Sequence, residues 1–170
     1  MTTSRRSFTI TAASLLLTVG ATAFVGRMLP TPAAAHGPKG SHQTFSAGEP
    51  GDAKKPARVV KVIMSDDGKK MWFEPNKLDV RRNEQIKFVL FNEGTEDHEF
   101  MLGTVAENRK HAADMKRFPD MEHDDPNAKR LSPFKGGELV WKFTKAGEFE
   151  FACLIPGHYE AGMVGKIVVK

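Results

Sequence analysis

Cys153, His158 and Met163 stand at five-residue intervals in F-A-C-L-I-P-G-H-Y-E-A-G-M-V-G, residues 151–165. Thiolate and thioether are soft donors and imidazole is borderline. Two imidazoles and one thiolate in a plane, with a weak axial thioether, make a copper site for one-electron transfer. A single loop can carry three of these donors. Cys153 would end one strand, Met163 would begin the next, and Pro156-Gly157 would turn the chain so that His158 lies between them. The second imidazole has to come from elsewhere, and His98 is best placed, after the turn Asn92-Glu93-Gly94-Thr95-Glu96-Asp97 and at the head of an apolar run. Blander readings compete with each residue: a buried thiol, a core methionine, a histidine on a surface turn. Zinc can take the same ligands, although copper binds more tightly along the divalent series.

The elements that must position these residues are mostly strands. Val59, Val60, Val62 and Ile63 predict a first strand, ended by the turn Asp66-Asp67-Gly68. Met71-Trp72-Phe73 and Lys77-Leu78-Asp79-Val80 predict a second strand region, broken at Pro75. Residues 85–92 and 97–102 predict two more. Leu139, Trp141 and Phe143 share one face of a strand, Phe149 and Phe151 one face of the next, and residues 163–170 supply the last. Short strands at this spacing indicate an all-β, antiparallel sandwich. The segment from Thr104 to about Pro133 is polar and poor in β-branched residues, and reads as an insertion. Within it, Glu107 to Phe118 predicts a helix with Ala112, Met115 and Phe118 on one side, ended by Pro119.

The N-terminus reads as an address. Arg5-Arg6 before Phe8, an apolar stretch to about Val25, and Ala33-Ala34-Ala35 make a secretory signal over residues 1–35 that resembles the twin-arginine type. An uncleaved anchor is the competing reading, but the apolar run is short and interrupted by Thr and Ser, where a span needs about 20 residues. No stable membrane insertion is expected after its removal. Residues 36–56, rich in Gly, Pro, Ala, Ser and Lys, read as a flexible leader before a domain at 57–170. The formal charge of +4 falls to +1 without Arg5, Arg6 and Arg27, leaving 22 basic against 21 acidic residues. A near-neutral domain gives no reason to expect nucleic acid. Export also sharpens the question of Cys153. A lone thiol in an oxidising compartment has no internal partner, and is a hazard unless buried, reactive by design or bound to metal.

C-x4-H-x4-M with an upstream His before a strand resembles the cupredoxins, such as azurin, plastocyanin and pseudoazurin, over roughly Arg58 to Lys170. The resemblance implies a cupredoxin-like Greek-key β-sandwich, here with a partly helical insertion, and one type 1 copper per chain held by His98, Cys153, His158 and Met163. Asp97-His98-Glu99-Phe100-Met101-Leu102-Gly103, the insertion around Phe118 to Asn127, and Pro156-Gly157-His158 are similar to periplasmic cupredoxins of bacterial copper tolerance. Glu99 departs from the Asn that many members carry there. The implied function is single-electron transfer in periplasmic copper tolerance or homeostasis. Alternatives are a respiratory or photosynthetic carrier of azurin or plastocyanin type, and a copper storage or delivery protein. No acid/base pair marks an enzyme, and an axial Met163 argues against an oxidase-like open site. His158 is expected at the solvent edge, with Leu154, Ile155, Pro156, Tyr159 and Ala161 forming an apolar patch for a transient redox partner. His111 and Met115, at i and i+4, with Met121 and His123, make a candidate second copper site.

Overall fold

The structure, a computed structural model, describes residues 45–118 and 125–170. The signal and most of the leader lie outside these residues, as do Met121 and His123. Among the described residues, the strands are β1 (Glu49–Pro50), β2 (Arg58–Asp66), β3 (Met71–Glu74), β4 (Lys77–Val80), β5 (Gln85–Asn92) and β6 (His98–Gly103). A helix, α1 (Val105–Arg117), follows. Then come β7 (Ala128–Leu131), β8 (Gly136–Lys142), β9 (Gly147–Ala152) and β10 (Val164–Val169).

The strands form two five-stranded sheets, in the orders β1-β8-β5-β2-β3 and β4-β10-β9-β6-β7. Alternation explains why they stack. Ile86, Phe88 and Leu90 of β5, Leu139 and Trp141 of β8, and Phe149 and Phe151 of β9 all turn inward and are buried. Phe100 of β6 stacks on Phe151 with ring centroids 5.1 Å apart, and Phe73 meets both edge-on. Such contacts add about 0.5–1.5 kcal/mol per pair beyond burial.

Alternation does not reveal strand order, and here the all-antiparallel expectation fails. β2 runs parallel to β5, and β4 parallel to β10. The break at Pro75 is the cause: β3 pairs in the first sheet and β4 in the second, so the chain crosses over before β5 returns beside β2. Parallel neighbours need such a crossover.

Two boundaries also differ from expectation. The end of the supposed flexible leader, from Phe45, is packed: Phe45 meets Trp141 edge-on at 5.3 Å, the indole N–H donates to the Ala47 carbonyl, and β1 pairs with β8. The insertion is shorter than 104–133, because β7 lies within it and pairs with β6. α1 starts two residues before its expected start, at a capping box. The Thr104 hydroxyl accepts from the Glu107 N–H while the Glu107 carboxylate accepts from the Thr104 N–H. α1 lies against β6 and β9 and buries Met115, while Phe118 is exposed. No helix among the described residues is long and apolar enough to cross a membrane.

Candidate metal centre

Three elements of the second sheet deliver the donors to one end of the sandwich. His98 opens β6, Cys153 follows the last residue of β9, and Met163 precedes the first residue of β10. The pairing of Ala152 with both Met101 and Val164 fixes Cys153 between the other two strands. The Cys153 N–H donates to the Met163 carbonyl at 3.1 Å, and the Met163 N–H to the His158 carbonyl at 3.0 Å. The intervening loop closes on itself through His158 N–H to Ile155, Ala161 N–H to Gly157 and Gly162 N–H to Tyr159. Gly157 at φ 94° and Gly162 at φ 101° supply left-handed backbone that a side chain would resist.

Within this frame His98 Nδ1 lies 3.3 Å from His158 Nδ1, which lies 3.3 Å from Cys153 Sγ. The three donor atoms fall within 4.8 Å of one another. His98 and Cys153 are fully buried and His158 is 5% exposed. Two borderline nitrogens and a soft sulfur, converging in a buried pocket with no disulfide partner for the thiol, fit the donor chemistry of copper. Met163 is fully buried beside them, tied through its backbone to both Cys153 and His158.

The electrostatics suit ligation by a neutral His158. Burial, reinforced by the neighbouring His98, holds His158 below the usual histidine range. Burial pushes the Cys153 thiol up to about 12, against the opposing pull of the Glu99 and Ile155 amides. A metal must therefore displace a proton to take the sulfur. The departure at Glu99 leaves the sulfur's hydrogen bond in place, because the donor is the backbone: Glu99 N–H points at Cys153 Sγ at 3.3 Å.

Both imidazoles turn Nε2 toward a carboxylate. Asp66 Oδ2 lies 3.1 Å from His98 Nε2, and Glu96 Oε2 lies 3.4 Å from His158 Nε2. Burial alone would raise the Asp66 carboxyl, but hydrogen bonds from the Thr95 hydroxyl and amide, and from His98, outweigh it and hold it below the usual carboxylate range. Asn92, fully buried at the end of β5, ties down the loop that leads to His98. Its amide donates to the Glu96 and Leu131 carbonyls at 2.8 and 2.9 Å and accepts from the Gly94 N–H at 2.9 Å. Reading the sequence missed both residues. Asp66 reads from sequence as part of a turn signal, although it is the Asp67 side chain that caps that turn by accepting from the Lys69 and Lys70 amides.

The expected patch around His158 is only partly at the surface. Pro156 is exposed and Ile155, Tyr159 and Ala161 are half-buried, but Leu154 is 1% exposed and packs with Met101 and Ala152. Of the candidate second site, Met115 is buried and His111 half-buried, and Met121 and His123 lie outside the described residues. Among the described residues, His98, Cys153 and His158 form the one cluster of three or more His, Cys or carboxylate donors.

Comparison with known proteins agrees with this geometry. Residues 60–170 match the family described as copper binding proteins, plastocyanin/azurin family. The chain is 56% identical over 123 residues to the copper-resistant cuproprotein CopI of Rubrivivax gelatinosus, across 72% of this chain and 73% of that one. It is 36% identical over 152 residues to the copper-resistant cuproprotein CopI of Pseudomonas aeruginosa, across 72% and 82%. Auracyanin B superposes with a TM-score of 0.60 at 23% identity, over 73% of this chain and 96% of its own, which speaks for the fold. The matched span holds all four expected ligands, and the chain belongs to the plastocyanin/azurin family of copper-binding proteins.

Proposed function

We propose that this protein is an exported, non-enzymatic copper carrier of electrons that serves copper tolerance in the periplasm. The observation that carries the reading is the convergence of His98, Cys153 and His158 within 4.8 Å in a buried site. The copper resistance in the names of its CopI relatives supports the tolerance role, and the signal-like N-terminus supports export. His98, Cys153 and His158 would hold the ion with Met163 alongside, and copper so held supplies a one-electron couple. The protein's own part is restraint. Strand ends and a self-bonded loop keep the donors still, burial excludes water, and the Glu99 N–H supports the charge on the sulfur that has lost its proton. His158 is the least buried donor of the three, so its edge is the route for electrons to a partner. Ile155, Pro156, Tyr159 and Ala161 give that edge an apolar rim, and Glu96 adds a carboxylate to it.

The test is copper(II) titration of the mature protein, followed by optical and EPR spectra beside those of Cys153→Ser. An intense sulfur-to-copper band, lost in the variant, is expected. A colourless protein whose thiol stays free would refute the site. Poor growth of a deletion strain in copper is expected, and normal growth would refute the tolerance role. Ready loss of copper to a chelator, with no electron exchange, would replace the carrier with a storage or delivery protein.

A further inference from the structure

We infer that Asp66 is a positioning residue that selects the nitrogen His98 offers to the metal and biases the centre toward copper(II). The inference rests on the copper reading of the site. Asp66 ends β2 in the first sheet, whereas His98 opens β6 in the second, so their 3.1 Å contact crosses the sandwich. The carboxylate is itself held firmly. Its Oδ2 accepts from the Thr95 N–H at 2.7 Å and the Glu96 N–H at 3.4 Å, and its Oδ1 from the Thr95 hydroxyl at 2.9 Å. An ionised carboxylate can only accept. It therefore requires a proton of His98 on Nε2, and in the neutral ring that a metal takes, Nδ1 is left bare on the side where Cys153 and His158 converge.

Two further observations show a built arrangement. The Asp66 side chain is only 3% exposed, so its charge acts with little screening. Gly94 passes directly over the contact: a Cβ there would collide with Asp66 Oδ2 and lie 2.8 Å from His98 Nε2. The turn after β2 does not need Asp66, since Asp67 forms it. A buried anion behind one ligand favours the more highly charged oxidation state of the ion in front.

Three variants separate the parts of this role. Asp66→Asn keeps the size and an acceptor but removes the charge; Asp66→Ala removes both; Gly94→Ala pushes a methyl group into the contact. In the metal-free protein, nitrogen-15 NMR of the imidazoles should show His98 protonated on Nε2 in the parent and in Asp66→Asn, and mixed in Asp66→Ala and Gly94→Ala. In the copper-loaded protein, losing ligand support of this kind weakens binding about 10–100-fold. Where copper(II) bears that loss, each tenfold raises the reduction potential by about 59 mV. Asp66→Asn should shift the potential upward and keep the tautomer. Unaltered potentials in Asp66→Asn and Asp66→Ala would overturn the bias, and an unaltered tautomer in Asp66→Ala would overturn the positioning. A parent protein that takes up no copper refutes the metal reading instead, and the metal-free NMR still decides what Asp66 does. If Asp66→Ala does not fold, the near-isosteric Asp66→Asn carries the potential test and Gly94→Ala the tautomer test.

Discussion

Asn92→Ala should destabilise the metal-free protein out of proportion to the few atoms removed. The side chain is fully buried and makes three hydrogen bonds, of which those to the Leu131 carbonyl and from the Gly94 N–H are buried at both ends. The third, to the Glu96 carbonyl, is part-buried, and water can replace it. Each buried group left without a partner costs about 1–3 kcal/mol. Two such groups, with some relaxation, give an expected loss of about 2–4 kcal/mol. With a urea slope of about 2 kcal/mol/M, the unfolding midpoint should fall by about 1–2 M with the slope unchanged. Asn92→Asp is the sharper companion. It keeps the acceptor for Gly94 but turns a carboxylate oxygen toward two carbonyls, which disfavours the anion and raises its folded pKa. Its penalty should be largest at neutral pH and shrink as the pH falls and the acid becomes a donor. Urea melts at neutral and acidic pH measure both. Asn92→Ala within about 0.5 kcal/mol of the parent, the scatter of an ordinary surface change, would refute the reasoning. So would Asn92→Asp milder than Asn92→Ala at neutral pH.

Two further outcomes test the frame away from the centre. Glu84 accepts from Arg58 at 2.6 Å and from the Arg81 N–H at 2.8 Å, and the Arg58 bond leads in holding its carboxyl below the usual range. A depressed folded value means stabilisation that is present above the ordinary glutamate range and lost as the pH falls. Arg58 and Glu84 side chains are 42% and 22% exposed, so solvent screening limits the effect. Glu84→Gln should therefore cost under about 1 kcal/mol near pH 7 and less near pH 3, read from urea midpoints; an equal cost at both would refute the ionic account. Gly165→Ala should cost about 1–3 kcal/mol by thermal or urea unfolding, because its methyl group would enter the Phe151 ring that stacks on Phe100. An unchanged melt would show that the ring can move aside.

What could be read from the sequence was what is local. Cys153, His158 and Met163 ride on one loop, so their spacing alone brings them together once strands flank it. Ile86, Phe88 and Leu90 alternate, so β5 declares its buried face. What could not be read depends on distant chain. Asp66 and His98 are 32 residues apart and meet only because the two sheets stack. The parallel pairing of β2 with β5 follows from the crossover at Pro75, which leaves no periodic trace. β7 is a short edge strand with Leu131 as its one buried residue, so it reads as polar insertion. Phe45 and Ala47 sit in a Gly- and Pro-rich stretch, and only the exposed edge of β8, with Trp141 behind it, makes a place for them. The helix start is legible in Thr104-x-x-Glu107, a capping-box spacing that apolar periodicity alone does not mark.

The two histidines differ less in chemistry than in what stands behind them. Each turns Nδ1 inward and Nε2 toward a carboxylate. Behind His98 that carboxylate is 3% exposed, tied by Thr95, and reached across the sandwich. Behind His158 it is Glu96, 54% exposed and reached at a longer 3.4 Å. A buried, fully bonded acid can hold a ring in one orientation, whereas an exposed one is screened and pays rotamer entropy to stay in place. The centre is thus held more firmly on the His98 side than on the His158 side, where the supporting carboxylate is exposed. The same loop, residues 93–97, serves both sides: Thr95 secures Asp66 and Glu96 faces His158, while Asn92 pins the loop to the end of β5. Copper affinity should therefore depend on that loop, although none of its residues is among the expected ligands.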